Sequence, residues 1–244
     1  MAAPYVPAAT PILITISITA FFVILLAVAT TIKLARRKNS IVLSLSAGIY
    51  CIAGAIISRF IGYLDWFFSQ PQYFPHEPHI YVYSGPITYT FVVLSVPFWT
   101  WFANLVFRWK KIYLVASIMV LVAALFLIWH PANHWGEEAL AEASIRPITQ
   151  AYIFAYFGGT VLRISRASFT GAKRASVDSV RDNFVDIGRG MFLGFGSFLL
   201  LLFSAVLTVA ARWDQNPFLL AAWPCILTAL YFLYRGAFLR KVYT

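Results

Sequence analysis

The chain has 244 residues, of which 61% are hydrophobic and only 11% are charged, with a formal net charge of +10. Soluble domains carry roughly a quarter charged residues, so this chain lacks the charge to cover a water-facing surface, and the same numbers exclude intrinsic disorder. The mean hydropathy of +0.76 therefore predicts a multi-pass integral protein of the cell membrane.

Seven apolar segments, bounded by charges and prolines, follow one another along the chain. A helix that crosses a bilayer needs about 20 mostly apolar residues. The candidate spans are 11–32, 40–61, 84–107, 112–129, 147–162, 191–211 and 217–234. We predict one all-α domain over residues 1–244, a seven-transmembrane helix bundle. The first segment lacks a basic region before it, so we interpret it as a retained helix rather than a cleaved signal peptide.

The basic residues fall on alternate loops. Sixteen of the nineteen Lys and Arg residues follow the first, third, fifth and seventh helices, and only Arg59, Arg146 and Arg212 lie elsewhere. Because loops rich in Lys and Arg stay in the cytoplasm, this bias predicts an N-terminus outside and a C-terminus inside. It also predicts contact with anionic inner-leaflet lipid and no nucleic-acid partner. Arg59, near the end of the second helix, is expected to reach the interface with its long side chain.

All four histidines lie in two loops of the predicted outer face. They are His76, His79, His130 and His134. Imidazoles beside carboxylates suit Zn²⁺ or Cu²⁺. However, Pro78 and Pro131 interrupt both spacings and prevent a regular helical pair. We therefore expect polar loops, and a zinc or copper site remains an alternative.

The predicted spans lack ionisable side chains near their middles. Proton relays and ion-coupled pathways need such groups in the membrane. Membrane haem needs histidines at depth, and retinal needs a lysine within a helix. We therefore expect no bound haem, flavin or retinal and assign no catalytic residue.

The segment between the fifth and sixth helices carries an amphipathic pattern. Apolar residues recur there at helical spacing, at Val177, Val180, Phe184 and Ile187. The pattern predicts a cytoplasmic helix over 176–190 that extends the sixth span, with an i,i+4 pair of Arg174 and Asp178 and an i,i+3 pair of Asp186 and Arg189.

This basic segment offers candidate contacts for a partner protein or a lipid surface. The candidates are Arg174, Arg181 and Arg189. Directly after them, Gly190 and Gly194 form a small-xxx-small pattern, which predicts a close approach between helices.

The second half of the chain resembles the seven-transmembrane sensor module that precedes some prokaryotic histidine kinases. The similarity lies in the basic loop after the fifth helix, in "DIGRGMFLGFGS" and in "YFLYRGAFLRK". It implies that an outer or intramembrane signal is passed to a cytoplasmic effector. The chain stops ten residues after Tyr234, without a kinase or cyclase domain, so we expect a separate protein to supply the output.

A second pattern supports an alternative function. Pro97 and Pro224 are each followed by an arginine eleven positions later, Arg108 and Arg235. This repetition indicates an internal repeat of helices 1–3 and 5–7 with helix 4 as linker, as in small sugar carriers. Our first hypothesis is a non-catalytic module that acts through partners, either as a receptor or sensor or as an accessory subunit of a membrane complex. A 3+1+3 transporter of a neutral solute and a membrane enzyme with an outer-face metal are the alternatives.

Overall fold

A computed structural model describes residues 9–36, 39–69, 79–133, 145–211 and 217–239. These residues form seven α-helices and are otherwise turns or short connections. The helices are α1 (Ala9–Arg36), α2 (Ser40–Phe68), α3 (His79–Phe107), α4 (Ile112–Ile128), α5 (Arg146–Arg174), α6 (Asp178–Ala211) and α7 (Pro217–Tyr234). A short π-helical turn, Arg235–Leu239, continues α7. The prediction of an all-helical protein is confirmed.

Several helices extend beyond the predicted spans. The largest differences are in α5, which continues to Arg174, and in α6, which already begins at Asp178. The predicted bounds marked where apolar composition stops, whereas the helices follow backbone hydrogen bonding, which polar residues sustain outside an apolar layer. The amphipathic segment is thus the first part of α6.

The described chain contains five helices that are long and apolar enough to cross a membrane. They are Pro11–Arg36, Ser40–Phe68, Ile80–Phe107, Asp178–Ser204 and Pro217–Phe238. The helix α4 is apolar but has only 17 residues. Large apolar side chains remain exposed, such as Phe21 at 59% and Met119 at 70%. A lipid environment explains such exposure, so the chain is a membrane protein.

Consecutive helices are neighbours in the bundle, and α1 also packs against α7, which closes the ring. In addition, α3 contacts α5, so α4 lies at the periphery. The core is centred on α3, where Trp99 and Phe102 are each 1% exposed. A methyl group at Gly48 would lie 2.7 Å from the Trp99 ring, so the absence of a side chain there allows α2 and α3 to pack closely.

Candidate functional site

The helix ends that carry most of the basic residues meet at one end of the bundle, which we call the basic end. There the Phe107 ring at the end of α3 lies 5.8 Å from the Phe184 ring of α6, measured between centroids. Ser165 of α5 donates a hydrogen bond to the Gly188 carbonyl of α6 at 2.9 Å. These contacts join α5 and α6 into a packed helical hairpin that continues past the end of α3.

An open groove of about 520 Å³ lies between α5 and the end of α3. Its lining residues are Phe107, Trp109, Arg163, Arg166, Ala167, Thr170, Gly171 and Arg174. The α5 members recur in the order i, i+3, i+4, i+7, i+8 and i+11, which places them on one face of that helix. The α3 side is shaped by Arg108, whose φ of 55° is left-handed and turns the chain directly after the helix ends.

The three arginines of the groove are held differently. The Arg163 guanidinium lies over two rings, 4.9 Å from the centroid of Trp109 and 4.6 Å from that of Tyr113. These contacts are cation–π interactions, and they fix the position of the charge. Arg166 and Arg174 are exposed. Within the described part of the chain, no acidic side chain lines the groove, so its surface is suited to an anionic group or an acidic peptide.

A buried ion pair fixes α7 to the same end. Arg235 Nε donates to Asp186 Oδ2 at 2.8 Å, and a second guanidinium nitrogen donates to Oδ1. The Asp186 side chain is only 1% exposed, whereas that of Arg235 is 27% exposed. The backbone also approaches closely here, since a methyl group at Gly236 would lie 2.9 Å from the Asn183 carbonyl oxygen. The pair therefore fixes the end of α7 to the first part of α6, residues 178–190, which we call the α6 extension.

Both ion pairs predicted within the amphipathic segment are wrong. Asp178 pairs with Arg181 at 2.9 Å rather than with Arg174, because α5 ends at Arg174 and no continuous helix joins the two residues. Asp186 pairs with Arg235 of the π-helical turn rather than with Arg189.

The three predicted contact residues lie in different surroundings. Arg174 lines the groove. Arg181 carries the exposed pair with Asp178, and Arg189 lies with its guanidinium carbon 6.0 Å from the Phe232 ring centroid. Arg166 and Thr170, like Arg163, were not among the predicted site residues. Their spacing from Arg163 and Arg174 on one helical face was the signal that could have found them.

The predicted glycine pair has one member at a close contact. A methyl group at Gly190 would lie 2.7 Å from Leu233 Cγ and 2.8 Å from the Ala229 carbonyl oxygen of α7. Around Gly194, by contrast, the structure shows nothing within 4 Å of an added methyl group. The close approach of α6 and α7 is therefore centred on Gly190.

The predicted histidine site falls largely outside the described residues. His76 and His134 lie outside them, and for His79 only the backbone at the start of α3 is described. The His130 ring packs 5.4 Å from Phe126, and its Nδ1 accepts a hydrogen bond from the Ala132 amide at 3.1 Å. No group of three or more potential metal ligands occurs among the described residues. The zinc or copper alternative therefore stays a prediction.

Comparisons with known proteins identified no relative of this chain. No family model, no curated protein and no solved structure matches the chain.

Proposed function

We propose that this chain is a non-catalytic seven-transmembrane module that acts through a partner protein, as a receptor- or sensor-like module or as an accessory subunit of a membrane complex. The N-terminus lies outside, and the basic end lies in the cytoplasm. The observation that carries the proposal is the joining of α5, α6 and α7 at the basic end. A movement of α6 or α7 relative to the bundle would shift the basic surface as one unit.

The partner is a protein with an acidic surface that docks on the groove and the adjacent hairpin tip. Arg166 and Arg174 supply the positive charge of the groove. Val177, which is 54% exposed between α5 and α6, supplies an apolar contact. A charge pattern of this kind favours association with an acidic surface and disfavours a basic one. The remaining cations of this end contact anionic lipid headgroups.

A photo-crosslinking amino acid at Val177 tests the docking surface in membranes of the native host. We expect a discrete protein adduct from Val177 and none from Met119, which is 70% exposed on the apolar face of α4. The double charge reversal Arg166→Glu with Arg174→Glu should remove the adduct. The matched reversal Arg36→Glu, at the end of α1, should leave it. An adduct that persists in the groove variant would contradict the proposed docking surface.

The transporter alternative keeps one supporting observation, the peripheral position of α4 between the two groups of three helices. A linker helix at this place is what a 3+1+3 plan requires. Uptake of neutral sugars by proteoliposomes tests it, with empty liposomes as the control. Saturable, protein-dependent uptake would favour this function over the partner-coupled module.

A further inference from the structure

A second polar cluster lies at the end of the bundle opposite the groove, where α2 meets α3. Arg59 of α2 donates from Nη1 to Ser84 Oγ at 3.1 Å. Its guanidinium carbon lies 4.7 Å from the Tyr63 ring centroid and 5.0 Å from that of Tyr81. We call Arg59, Tyr63, Tyr81 and Ser84 the arginine–tyrosine cluster.

The helices around this cluster are in close contact. Ser84 is 2% exposed, and a methyl group at Gly62 would overlap its side chain. Arg59 itself is half-buried. Arg59, which the sequence predicts to reach the interface, is thus held in a fixed position between two aromatic rings.

Arg59 is a half-buried cation that forms no ion pair among the described residues, and the nearby Asp65 carboxylate of α2 instead accepts a hydrogen bond from the Tyr81 amide at 3.0 Å. The ion pairs found there join Asp178 to Arg181 and Asp186 to Arg235 and do not involve Arg59. Ring faces and one hydroxyl offset only part of its charge, and the cation–π contribution is about 2 kcal/mol when water is excluded. Ionisable side chains in membrane helices are rare because they are costly, and those that occur usually have a functional partner.

A second guanidinium interacts electrostatically with this cluster. Arg146 at the start of α5 is an electrostatic neighbour of Arg59 and also of the Tyr81 and Tyr89 side chains. The Tyr89 hydroxyl is itself held by Gln150, whose Nε2 donates to it at 3.1 Å. Side chains of α2, α3 and α5 thus interact electrostatically in one region, where the Arg59 charge favours an anion.

We propose that the arginine–tyrosine cluster binds a small carboxylate. A guanidinium has five N–H donors in one plane, and the bond to Ser84 uses only one of them. Because the ring faces of Tyr63 and Tyr81 pack on the guanidinium, a ligand approaches along its open edge, which matches a planar, bidentate carboxylate. A single negative charge also costs less to dehydrate than the higher charge of phosphate or sulfate.

Thermal unfolding of the purified protein in nanodiscs tests the site, with sodium butyrate as the probe. Sodium chloride, phosphate and sulfate at equal ionic strength are the comparison salts. We expect a saturable rise in Tm with butyrate that the comparison salts do not reproduce. Arg59→Lys, which keeps the charge but loses the bidentate geometry, should weaken the apparent affinity at least tenfold. Arg36→Gln, at the end of α1, should leave it unchanged.

Three outcomes would overturn the proposal. One is the absence of a saturable rise with butyrate, another is an equal rise with phosphate or sulfate, and the third is an unaltered response of the Arg59→Lys protein. If Arg59→Lys does not fold, Tyr63→Leu replaces it and should also weaken binding. The assay needs no partner protein, so its result is independent of whether docking at the groove is correct.

Discussion

At the scale of single residues, Gly190 and Gly194 form a matched pair. Both lie in α6, but only Gly190 faces α7 at a distance too short for a side chain. Gly190→Ala should lower the free energy of unfolding by about 1–3 kcal/mol, because its methyl group meets the Ala229 carbonyl, which cannot move independently of α7. Gly194→Ala should be neutral or should stabilise by up to about 1 kcal/mol through helix propensity.

Equilibrium unfolding of both variants in the same detergent measures this difference. Equal stabilities for the two alanine variants would contradict the close approach of α6 and α7 at Gly190. Wild-type protein at matched detergent concentration is the reference, since detergent itself changes the unfolded state.

Two ion pairs of the same chemistry differ in burial. Arg235→Gln removes the two charge-assisted bonds to the buried Asp186 carboxylate and should lower the free energy of unfolding by about 2–3 kcal/mol. Arg181→Gln removes an exposed pair, whose side chains are 51% and 84% accessible, and should change it by less than about 0.5 kcal/mol. Unfolding curves of the two variants at low and high salt measure both changes in the free energy of unfolding. Only the contribution of the exposed pair should decrease with salt. A ranking in the reverse order would be incompatible with the observed burial.

At the scale of helices, the packed hairpin of α5 and α6 makes a prediction about accessibility. Val177 is 54% exposed, whereas Ile187, ten residues later, is 6% exposed against the bundle. In a background without Cys51 and Cys225, Val177→Cys should react with a water-soluble maleimide at least tenfold faster than Ile187→Cys. A helix that only lay on the lipid surface would give similar rates for the two positions. Comparable rates would therefore show that the α6 extension does not pack as described.

The sequence predicted the existence and order of these helices better than their ends or partners. Apolar composition located the seven helices, because a bilayer favours long apolar segments. It could not locate the start of α6 at Asp178, since polar residues continue the same helix; the amphipathic spacing, which predicted a helix over 176–190, located that start closely. Nor could local spacing identify Arg235 as the partner of Asp186, because the two residues are 49 positions apart and only the packing of α6 against α7 brings them together.

One part of the candidate site can be predicted from local sequence, and the other depends on tertiary packing. The groove face of α5 can be predicted from a spacing within one helix, that of Arg163, Arg166, Thr170 and Arg174. The Trp109 ring that holds Arg163 comes from a different part of the chain, after the left-handed turn at Arg108. The arginine–tyrosine cluster likewise depends on the pairing of α2 with α3, which no local pattern specifies.

At the scale of the whole molecule, the topology depends on α5. This helix is less apolar than the other six, and it is not among the five that are long and apolar enough to cross. However, several of its polar groups bond to other helices. The Tyr156 hydroxyl donates to the Ser117 carbonyl of α4 at 2.6 Å, and Ser165 donates to Gly188 of α6. Polar side chains satisfied inside a bundle do not face lipid, so low hydropathy alone does not exclude a crossing.

If α5 crosses, residues 137–142 before it and Ser176 after it lie on opposite sides of the membrane. Single cysteines at Glu138 and at Ser176, introduced without Cys51 and Cys225, should differ in labelling by an impermeant maleimide on intact cells. We expect labelling at Glu138 and protection at Ser176 until the membrane is opened. Labelling of both positions from the same side would mean that α5 does not cross. The chain would then have an even number of crossings between its ends. The alternation of basic loops along the chain would fail, and with it the proposed cytoplasmic position of the groove.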